Sequence, residues 1–334
     1  MFNKIYESIK KFLSLNYKFL IFLIVIIFAF TFELPYVVYT PGGVVPLEKR
    51  IEIENSEDKT GSLNMSYVLL RKGTIPAILT SFIMPNWDLV SDREITNDDE
   101  NIDELLEKEK LYMTSALDNA TILAYKKANK EINITKTINN VIYIDEASKT
   151  NIKMFDQIIK VDGKDIKNIN ELKKIVNEHK KGDLLKVEVL RNGKHKFCEA
   201  EVFEINGNLK IGIAFLTTYE YETDPKIKIK TKNSESGSSG GLMLSLAIYN
   251  SLVSEDITNN RKIVGTGTID INGNVGEIDG VKYKMLGAKK NKADVFLCPY
   301  ENYEEAINVK NKYDIDMEVI GVKTFDEALA YLKK

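Results

Sequence analysis

The chain has 334 residues and a net charge of −3, from 46 basic and 49 acidic side chains. This length allows two or three domains with a sizeable core, and the balanced charge argues against nucleic acid as a partner. The two cysteines, Cys198 and Cys298, form no Cys-x-x-Cys pair. That spacing argues against a zinc site and favours two buried free thiols, with one disulfide outside the cytoplasm as the alternative. We expect neither a metal nor a cofactor.

The N-terminal segment predicts a membrane anchor. Residues 1–18 carry four lysines and one acid, and the apolar run Phe19–Phe32 follows. This run would also suit a cleaved signal peptide. However, no Ala-x-Ala-like site closes it, and the aromatic Tyr36 and Tyr39 extend it towards the membrane surface. We therefore expect a transmembrane signal anchor over residues 19–39, a cytoplasmic N-terminus over residues 1–18, and the rest of the chain outside the cytoplasm in a single-pass arrangement.

Residues 40–130 predict a mixed region of strands and a helix. The region begins with Pro41-Gly42-Gly43, and its clearest strands are Ile51–Ile53 and Ser66–Leu70. The segment Leu111–Ala128 predicts a helix. No residue pattern in this region indicates chemistry of its own.

Residues 136–208 predict a separate module of two strands, one helix and two further strands. The elements in chain order are Val141–Ile144, Gln157–Asp162, the helix Asn170–His179, Leu185–Leu190 and Lys196–Val202. Asn168 or Asn170 is suited to cap the helix. The pair Asn192-Gly193 predicts a tight hairpin turn between the last two strands.

This module resembles a PDZ domain of the kind appended to bacterial proteases. The resemblance is carried by the element order and by the segment MFDQIIKVDGKDIKNINELKKIV, in which Phe155 stands before Asp156 where the pattern has glycine. No glycine-rich loop for binding a peptide carboxylate is evident. The residues leave open a second interpretation, a small structural α+β domain.

Beyond Lys210, strands and helices alternate, which predicts an α/β or α+β core. The predicted strands are Ile211–Thr217, Lys226–Lys230, Ile263–Ile271, Val295–Pro299 and Met317–Val322. Helices are predicted after the loop Ser236–Gly241, after Gly280, and over Tyr303–Lys312 and Thr324–Leu332.

The loop Ser236–Gly241 consists of serine and glycine and leads into a helix. The apolar positions of that helix follow the spacing of one helical face, at Leu242, Met243, Leu246, Tyr249 and Val253. The first turn of a helix offers unpaired N–H groups and the positive end of the helix dipole, so an oxyanion beside a loop serine would be stabilised. Two other interpretations are a linker or simple serine cap, and a phosphate or anion site.

A base for such a serine has to be found elsewhere in the chain. The only histidines, His179 and His195, both precede the loop, so a lysine becomes the leading candidate. After Gly280, an apolar stripe with the spacing i, i+4, i+7 is formed by Val281, Met285 and Ala288. Lys284 falls beside this stripe, whereas Lys282 points away from it.

Burial of Lys284 would matter chemically. A lysine amine has an ordinary pKa of about 10.4 and cannot accept a proton while it is charged. Desolvation lowers that pKa and leaves a neutral amine that can act as a base. The alternative is an amphipathic lysine that lies along the helix surface.

The loop and the lysine segment together resemble the Lon-type proteases. Gly237–Gly241 is similar to the family's Gly-Pro-Ser-Ala-Gly motif, and GNVGEIDGVKYKMLGAKK is similar to its lysine motif. The resemblance implies Ser239 as nucleophile and Lys284 as general base, 45 positions apart, and Thr266 matches the threonine that hydrogen-bonds the lysine. The chain departs from the motifs at three positions, where Ser238 replaces proline, Gly240 replaces alanine and Asp279 replaces glycine.

The layout of the whole chain resembles the membrane-anchored, PDZ-containing branch of that family, often called YlbL-like or SepM-like. It implies an α+β fold with an N-terminal transmembrane helix and a PDZ-like domain inserted before a Lon-type proteolytic domain at residues 209–334, with residues 40–130 as the N-terminal part of the Lon-like region. The expected activity is that of a membrane-tethered serine endopeptidase with a Ser-Lys dyad, acting on exposed or unstructured extracytoplasmic proteins or peptides. The backbone N–H groups of Ser239 and Gly240 are the expected oxyanion donors.

Two further expectations accompany this one. No Gly-x-x-x-x-Gly-Lys-Ser/Thr loop occurs in the sequence, so hydrolysis is expected to be independent of ATP. The resemblance also implies a ring-like homo-oligomer, a hexamer. The alternative function is a non-enzymatic, membrane-tethered PDZ-like scaffold that binds peptides.

Overall fold

The computed structural model describes residues 2–54, 56–95 and 102–334. Its α-helices are α1 (Phe2–Thr31), α2 (Ile75–Ser81), α3 (Ile102–Lys127), α4 (Ile169–Asn177), α5 (Gly241–Leu252), α6 (Val281–Lys290), α7 (Tyr303–Lys312) and α8 (Phe325–Leu332). Its strands are β1 (Glu33–Pro46), β2 (Ile51–Ile53), β3 (Ser62–Thr74), β4 (Asp88–Ser91), β5 (Glu131–Ile144), β6 (Gln157–Val161), β7 (Lys164–Asp165), β8 (Leu184–Arg191), β9 (Lys194–Glu201), β10 (Phe203–Ile205), β11 (Asn208–Lys210), β12 (Ile213–Asp224), β13 (Ile227–Ile229), β14 (Lys262–Gly265), β15 (Thr268–Ile269), β16 (Val275–Gly276), β17 (Val295–Pro299) and β18 (Glu318–Val322).

The N-terminal helix α1 is long and apolar enough to cross a membrane over Ile5–Thr31, and none of that span is buried in the protein. The expected anchor over residues 19–39 is wrong at its C-terminal end, because the helix stops at Thr31 and β1 begins at Glu33. Tyr36 and Tyr39 therefore belong to a strand. The β-branched pair between them favours extended backbone, and pairing with β3 satisfies the backbone polar groups.

The main sheet joins the two ends of the chain. Its strand order is β18-β17-β14-β3-β1-β4, with parallel pairing from β18 to β3 and antiparallel pairing from β3 through β1 to β4. Strands before residue 92 and strands after residue 261 thus share one sheet, and the PDZ domain lies between them in sequence. The mixed α and β architecture, with a PDZ domain inserted ahead of the C-terminal domain, agrees with the fold expected from the sequence.

Both faces of this sheet are covered by helices. Ile263 and Leu297 point into a core with α3, α5 and α8, whereas Val264 and Phe296 point to the opposite face, against α6 and α7. Burial on both faces is characteristic of a parallel sheet and explains the nearly continuous apolar runs of β14 and β17.

The PDZ sheet has the strand order β12-β5-β6-β8-β9, with β7 paired to β6. Its core contains α4 and the inward-facing residues of β6, β8, β9 and the end of β5. The sequence placed the strand Ile211–Thr217 in the C-terminal region, but the structure pairs β12 with β5 along their whole length. The sheet therefore extends to residue 224. Local sequence patterns reveal a strand but do not reveal its partner.

Short-range predictions in this domain are confirmed. The side chain of Asn168 caps α4 and accepts hydrogen bonds from the N–H groups of Asn170 and Glu171. Asn192 and Gly193 both have positive φ angles, 51° and 72°, as a tight hairpin turn requires. Phe155, which stands where the PDZ pattern has glycine, also has a positive φ of 65°, so the position demands left-handed backbone.

Helix α3 connects the two sheets. The Ser115 hydroxyl donates to the Thr217 carbonyl at 2.9 Å on β12, and the Asp118 carboxylate accepts from the Tyr219 N–H at 2.8 Å. On its other side, the Asn119 amide donates to the Ile269 carbonyl at 3.2 Å. One helix therefore contacts both the PDZ sheet and the C-terminal domain.

Candidate active site

The loop that the sequence singled out lies at the start of α5. The expected one-sided apolar face is wrong, because eleven of the twelve residues of α5 are buried. The helix is enclosed by α3, α8 and the main sheet. Ser239 is half-buried and lies two positions before the first helical residue, Gly241. A serine in this position is held by a helix that cannot move without disturbing the core.

The backbone of Ser239 is fixed by the segment that follows β14. Its carbonyl oxygen accepts a hydrogen bond from the Thr266 hydroxyl at 3.0 Å and one from the Gly267 N–H at 2.7 Å. The Leu242 N–H in turn donates to the Gly267 carbonyl at 3.0 Å. On the other side of the loop, the Gly237 N–H donates to the Glu109 carbonyl at 2.9 Å. The loop is therefore not a free linker.

Gly240 lacks a side chain for a reason visible in its surroundings. A Cβ atom at this position would lie 1.9 Å from Sδ of Met65. Its φ of −91° would suit any residue, so the conflict is steric and not conformational. Met65 thus fills the space that the alanine methyl would occupy in the motif that this loop resembles.

The backbone N–H groups around the serine differ in their hydrogen bonds. The Gly241 N–H donates to the Ser238 carbonyl at 3.1 Å. Within residues 2–54, 56–95 and 102–334, no hydrogen bond from the N–H of Ser239 or Gly240 is present. These two donors face no competitor there, as an oxyanion site requires.

Lys284 is buried on α6, as the helical register predicts. Its exposed fraction is 4%, and Val281, Met285 and Ala288 beside it are fully buried. Lys282, two positions earlier on the same helix, instead forms a partly exposed ion pair with Asp88 at 2.6 Å. Of the two lysines considered, Lys284 alone is removed from water.

Burial changes the acid-base behaviour of Lys284. Desolvation lowers its pKa to about 8, while the carboxylates of Asp279 and Glu305 act in the opposite direction. Desolvation is the larger effect because it penalises the charged ammonium directly. A substantial fraction of the amine is neutral at mildly alkaline pH and can accept a proton.

Strand β3 brings the serine loop and the lysine helix to the same part of the sheet. Met65 abuts Gly240, and Val68, three positions further along, abuts Gly280 at the start of α6. Three residues of strand span about 10 Å, and the two helices lie on opposite faces of the sheet at this point. The structure places Thr266 on Ser239, but no hydrogen bond joins the Ser239 hydroxyl to the Lys284 amine among the described residues. Catalytic hydrogen bonds commonly tighten only when substrate is bound.

Several residues around this site were not found from the sequence. Met65 and Glu109 support the loop, and Tyr39 stacks on Tyr283 of α6 with ring centroids 5.7 Å apart. Asp88 accepts hydrogen bonds from both Lys282 and Tyr283 at 2.6 Å. These partners lie more than a hundred positions from the motifs they support, so no local pattern could have indicated them.

Cys198 and Cys298 are both free and buried, as expected. Burial raises the pKa of the Cys298 thiol to about 12, so it is not a reactive thiolate. No cluster of three or more metal-binding side chains occurs among the residues that the structure describes.

A second candidate site lies in the PDZ domain. A cavity of about 460 Å³ separates α4 from the start of β12. Leu172 and Val176 line it on the helix side, and Ile211 and Ile213 line it on the strand side. Because β12 is the terminal strand of its sheet, an extended peptide could add to its edge. A sequence feature that could have indicated this site is Gly212, which lies just beyond the predicted module boundary at residue 208. Its φ is 69°, in the region that favours glycine.

Comparison with known proteins agrees with this division. Residues 228–333 match the family described as the Lon protease (S16) C-terminal proteolytic domain, and residues 124–202 match the PDZ domain family. These matches, with the mixed α and β fold, therefore define a PDZ domain and a Lon-type proteolytic domain in this chain. Its N-terminal apolar helix fits the membrane-anchored branch of these proteases.

Among individual relatives, the chain is 33% identical over 98 residues to a Lon protease of Campylobacter jejuni, covering 29% of this chain and 12% of that protein. It is 35% identical over 94 residues to Lon protease 2 of Bacillus subtilis, covering 28% of this chain and 16% of that protein. The chain thus spans less than a fifth of the length of these relatives. Among solved structures, the PDZ domain of an SdrC-like protein from Listeria monocytogenes is 19% identical, with 25% of this chain and 93% of that chain covered and a TM-score of 0.23.

Proposed function

We propose that this chain is a membrane-tethered serine endopeptidase that uses a dyad of Ser239 and Lys284. The observation that carries the proposal is the burial of Lys284, with a pKa lowered to about 8, on a helix that starts against the same strand as the serine loop. A buried lysine with a depressed pKa and a serine before a helix start are the two groups that this chemistry needs.

In the proposed reaction, the neutral Lys284 amine takes the proton of the Ser239 hydroxyl as its oxygen attacks the scissile carbonyl carbon. The tetrahedral oxyanion receives hydrogen bonds from the N–H groups of Ser239 and Gly240. The Lys284 ammonium then protonates the leaving amine, and the carbon–nitrogen bond breaks. Water, deprotonated by Lys284, hydrolyses the acyl-enzyme and returns the serine. Thr266 holds the serine backbone and, through its hydroxyl lone pairs, orients the lysine.

The proposed setting is the outer face of a membrane. Four lysines precede the apolar part of α1, which supports a cytoplasmic N-terminus and an extracytoplasmic protease domain. No Gly-x-x-x-x-Gly-Lys-Ser/Thr loop occurs in the sequence, so we expect hydrolysis without ATP and substrates that are already exposed or unstructured. The family resemblance supports assembly into a ring-like homo-oligomer.

The test uses the full chain in detergent micelles, without nucleotide, and fluorescein-labelled casein as an unstructured substrate. Ser239→Ala and Lys284→Ala should each abolish hydrolysis, whereas Ser238→Ala and Lys282→Ala should retain it. Each control removes the same side chain from a neighbouring position. Hydrolysis that survives in Ser239→Ala would refute Ser239 as the nucleophile. Loss of hydrolysis in Lys282→Ala but not in Lys284→Ala would show that the wrong lysine is assigned as the base.

The cavity beside α4 supports a second candidate function, that of a tethered peptide-binding scaffold. On that account, the C-terminal domain is structural and Ser239→Ala leaves peptide binding unchanged. Binding of fluorescent peptides with free C-termini, measured for the wild type and for Ser239→Ala together with casein hydrolysis, separates the two functions. Peptide binding without any hydrolysis by the wild type would favour the scaffold.

A further inference from the structure

Helix α2 and the turn after it form an uncharged, exposed projection. From Ile75 to Trp87 the sequence contains no charged residue. We call residues 79–84 the apolar tip. Its large apolar side chains are highly exposed, with exposed fractions of 60% for Leu79, 75% for Phe82, 82% for Ile83 and 45% for Met84. Contiguous exposed apolar surface of this kind marks an interaction site in a soluble environment.

The apolar tip lies next to the membrane-spanning helix. Helix α1 packs against α2 and β3, and a single residue separates its end at Thr31 from the start of β1. The adjoining strands β1 and β3 carry further exposed large side chains at Tyr36, Leu69 and Leu70. The apolar tip therefore follows a helix that contacts the membrane-spanning helix and begins beside its end, since Thr74 pairs with Glu33.

The residues that follow the apolar tip in sequence have the order of polarity found across a membrane interface. Arg71 lies over the ring of Trp87, 5.2 Å from its centroid, and Asp88 follows in an ion pair with Lys282. Aromatic and basic side chains favour the headgroup level, and paired charges favour water. Along the chain, the apolar tip is thus followed first by an aromatic ring that carries a basic side chain and then by a paired charge.

We propose that the apolar tip inserts into the membrane surface beside α1, so that the phospholipid bilayer is its partner. The proposal rests on the membrane anchoring in the proposed function. The contact of α2 with α1 favours lipid over a protein partner, because a surface so close to the end of the span lies within reach of the headgroups. Asp88 joins this region to α6 through Lys282 and Tyr283, so insertion would hold the helix that bears Lys284 at a constant orientation to the membrane.

The experiment places an environment-sensitive fluorophore on the apolar tip of the full chain. Ile83→Cys is labelled with a nitrobenzoxadiazole maleimide, and Phe197→Cys serves as the control because Phe197 is 81% exposed on the PDZ domain. The native Cys198 and Cys298 are buried, and unmodified protein measures any background labelling. Both proteins are reconstituted in vesicles of phosphatidylcholine and phosphatidylglycerol, with and without bromine on the acyl chains.

We expect the label at position 83 to show blue-shifted emission and to lose about half its intensity or more with brominated lipid, because its surroundings are acyl chains. The label at position 197 should do neither. Water-like emission at position 83 would overturn the proposal, and so would a blue shift without bromine quenching, which would indicate a protein partner. Flotation of the vesicles tests the membrane anchor, and casein hydrolysis tests the peptidase. A failure of either hypothesis is therefore distinguished from a failure of the apolar tip to insert.

Discussion

The Thr266 hydroxyl donates a hydrogen bond to the Ser239 carbonyl oxygen at 3.0 Å, across 27 positions of sequence. The same oxygen accepts from the Gly267 N–H at 2.7 Å. The segment after β14 therefore holds the backbone of the proposed nucleophile directly. A hydroxyl oxygen that donates in this way keeps lone pairs that can accept from a lysine ammonium.

This relationship predicts different outcomes for two substitutions of Thr266. Thr266→Val keeps the shape but removes the hydroxyl, so the Ser239 loop loses one of its two clamps and kcat should fall roughly ten-fold. Thr266→Ser keeps the hydroxyl and should retain most of the activity. Steady-state casein hydrolysis by both variants checks the prediction. Equal rates for the two would show that the hydroxyl has no role.

The rate of hydrolysis should depend on pH through Lys284. Burial lowers its pKa to about 8, and only the neutral amine accepts the serine proton. The rate should therefore rise about ten-fold per pH unit below the pKa and level off above it. A profile of kcat/KM between pH 5.5 and 9.5 checks this prediction, and a flat profile would contradict a lysine base.

The carboxylates facing Lys284 should move that profile. Asp279 and Glu305 both raise the pKa of the amine, because a negative charge favours the ammonium. Asp279→Asn and Glu305→Gln should each shift the midpoint of the profile to lower pH. Glu304→Gln, an exposed neighbour on α7, is the matched control and should leave the midpoint in place. A shift to higher pH in either variant would contradict the assignment.

The close approach of Met65 to Gly240 predicts a compensating pair. Gly240→Ala places a methyl group 1.9 Å from the Met65 sulfur, and overpacking of this kind lowers the free energy of unfolding by about 1–3 kcal/mol. It should also displace Ser239 and reduce activity. Adding Met65→Ala should recover much of both losses, which thermal unfolding and casein hydrolysis would measure as a non-additive cycle. Additive losses would mean that the two side chains do not compete.

The contact between α3 and β12 should make stability depend on pH. Burial raises the pKa of Asp118 from its ordinary 3.8 to about 6. The folded state then binds more protons than the unfolded state between these values, so this contribution to stability is complete below about pH 4 and is lost as pH rises through 6. The wild type should therefore lose roughly 2–3 kcal/mol relative to Asp118→Asn between pH 4 and 7.

Chemical denaturation of both proteins at several pH values measures this difference. Asp316→Asn, at an exposed site, provides the control and should follow the wild type. A wild type that gains stability relative to Asp118→Asn as pH rises would contradict the sign of the effect.

Much of the fold was predictable because its signals are local. The bounds of β2, β17 and α7 agree with the sequence prediction, since apolar runs and turn residues define them. Helix α2 was not predicted, because it has only seven residues and no charged side chain that would mark a polar face. The length of β12 was also missed, because its partner β5 lies some eighty positions earlier in the chain.

The candidate site divides in the same way. The burial of Lys284 follows from helical periodicity alone, and Ser239 and Thr266 were indicated by their motifs. The roles of Met65 and Asp88 were not predictable, because each depends on the packing of a distant strand against α5 or α6. Packing of this kind is decided by the tertiary fold and leaves no periodic trace in the sequence.

The most direct test of the proposed dyad is covalent labelling of Ser239 by a fluorophosphonate probe. The full chain should be labelled once, at Ser239 by peptide mass spectrometry, with a rate that rises towards pH 8 and above. Labelling should be lost in Ser239→Ala, strongly reduced in Lys284→Ala and retained in Lys282→Ala. Undiminished labelling in Lys284→Ala, or labelling at another serine, would contradict the dyad.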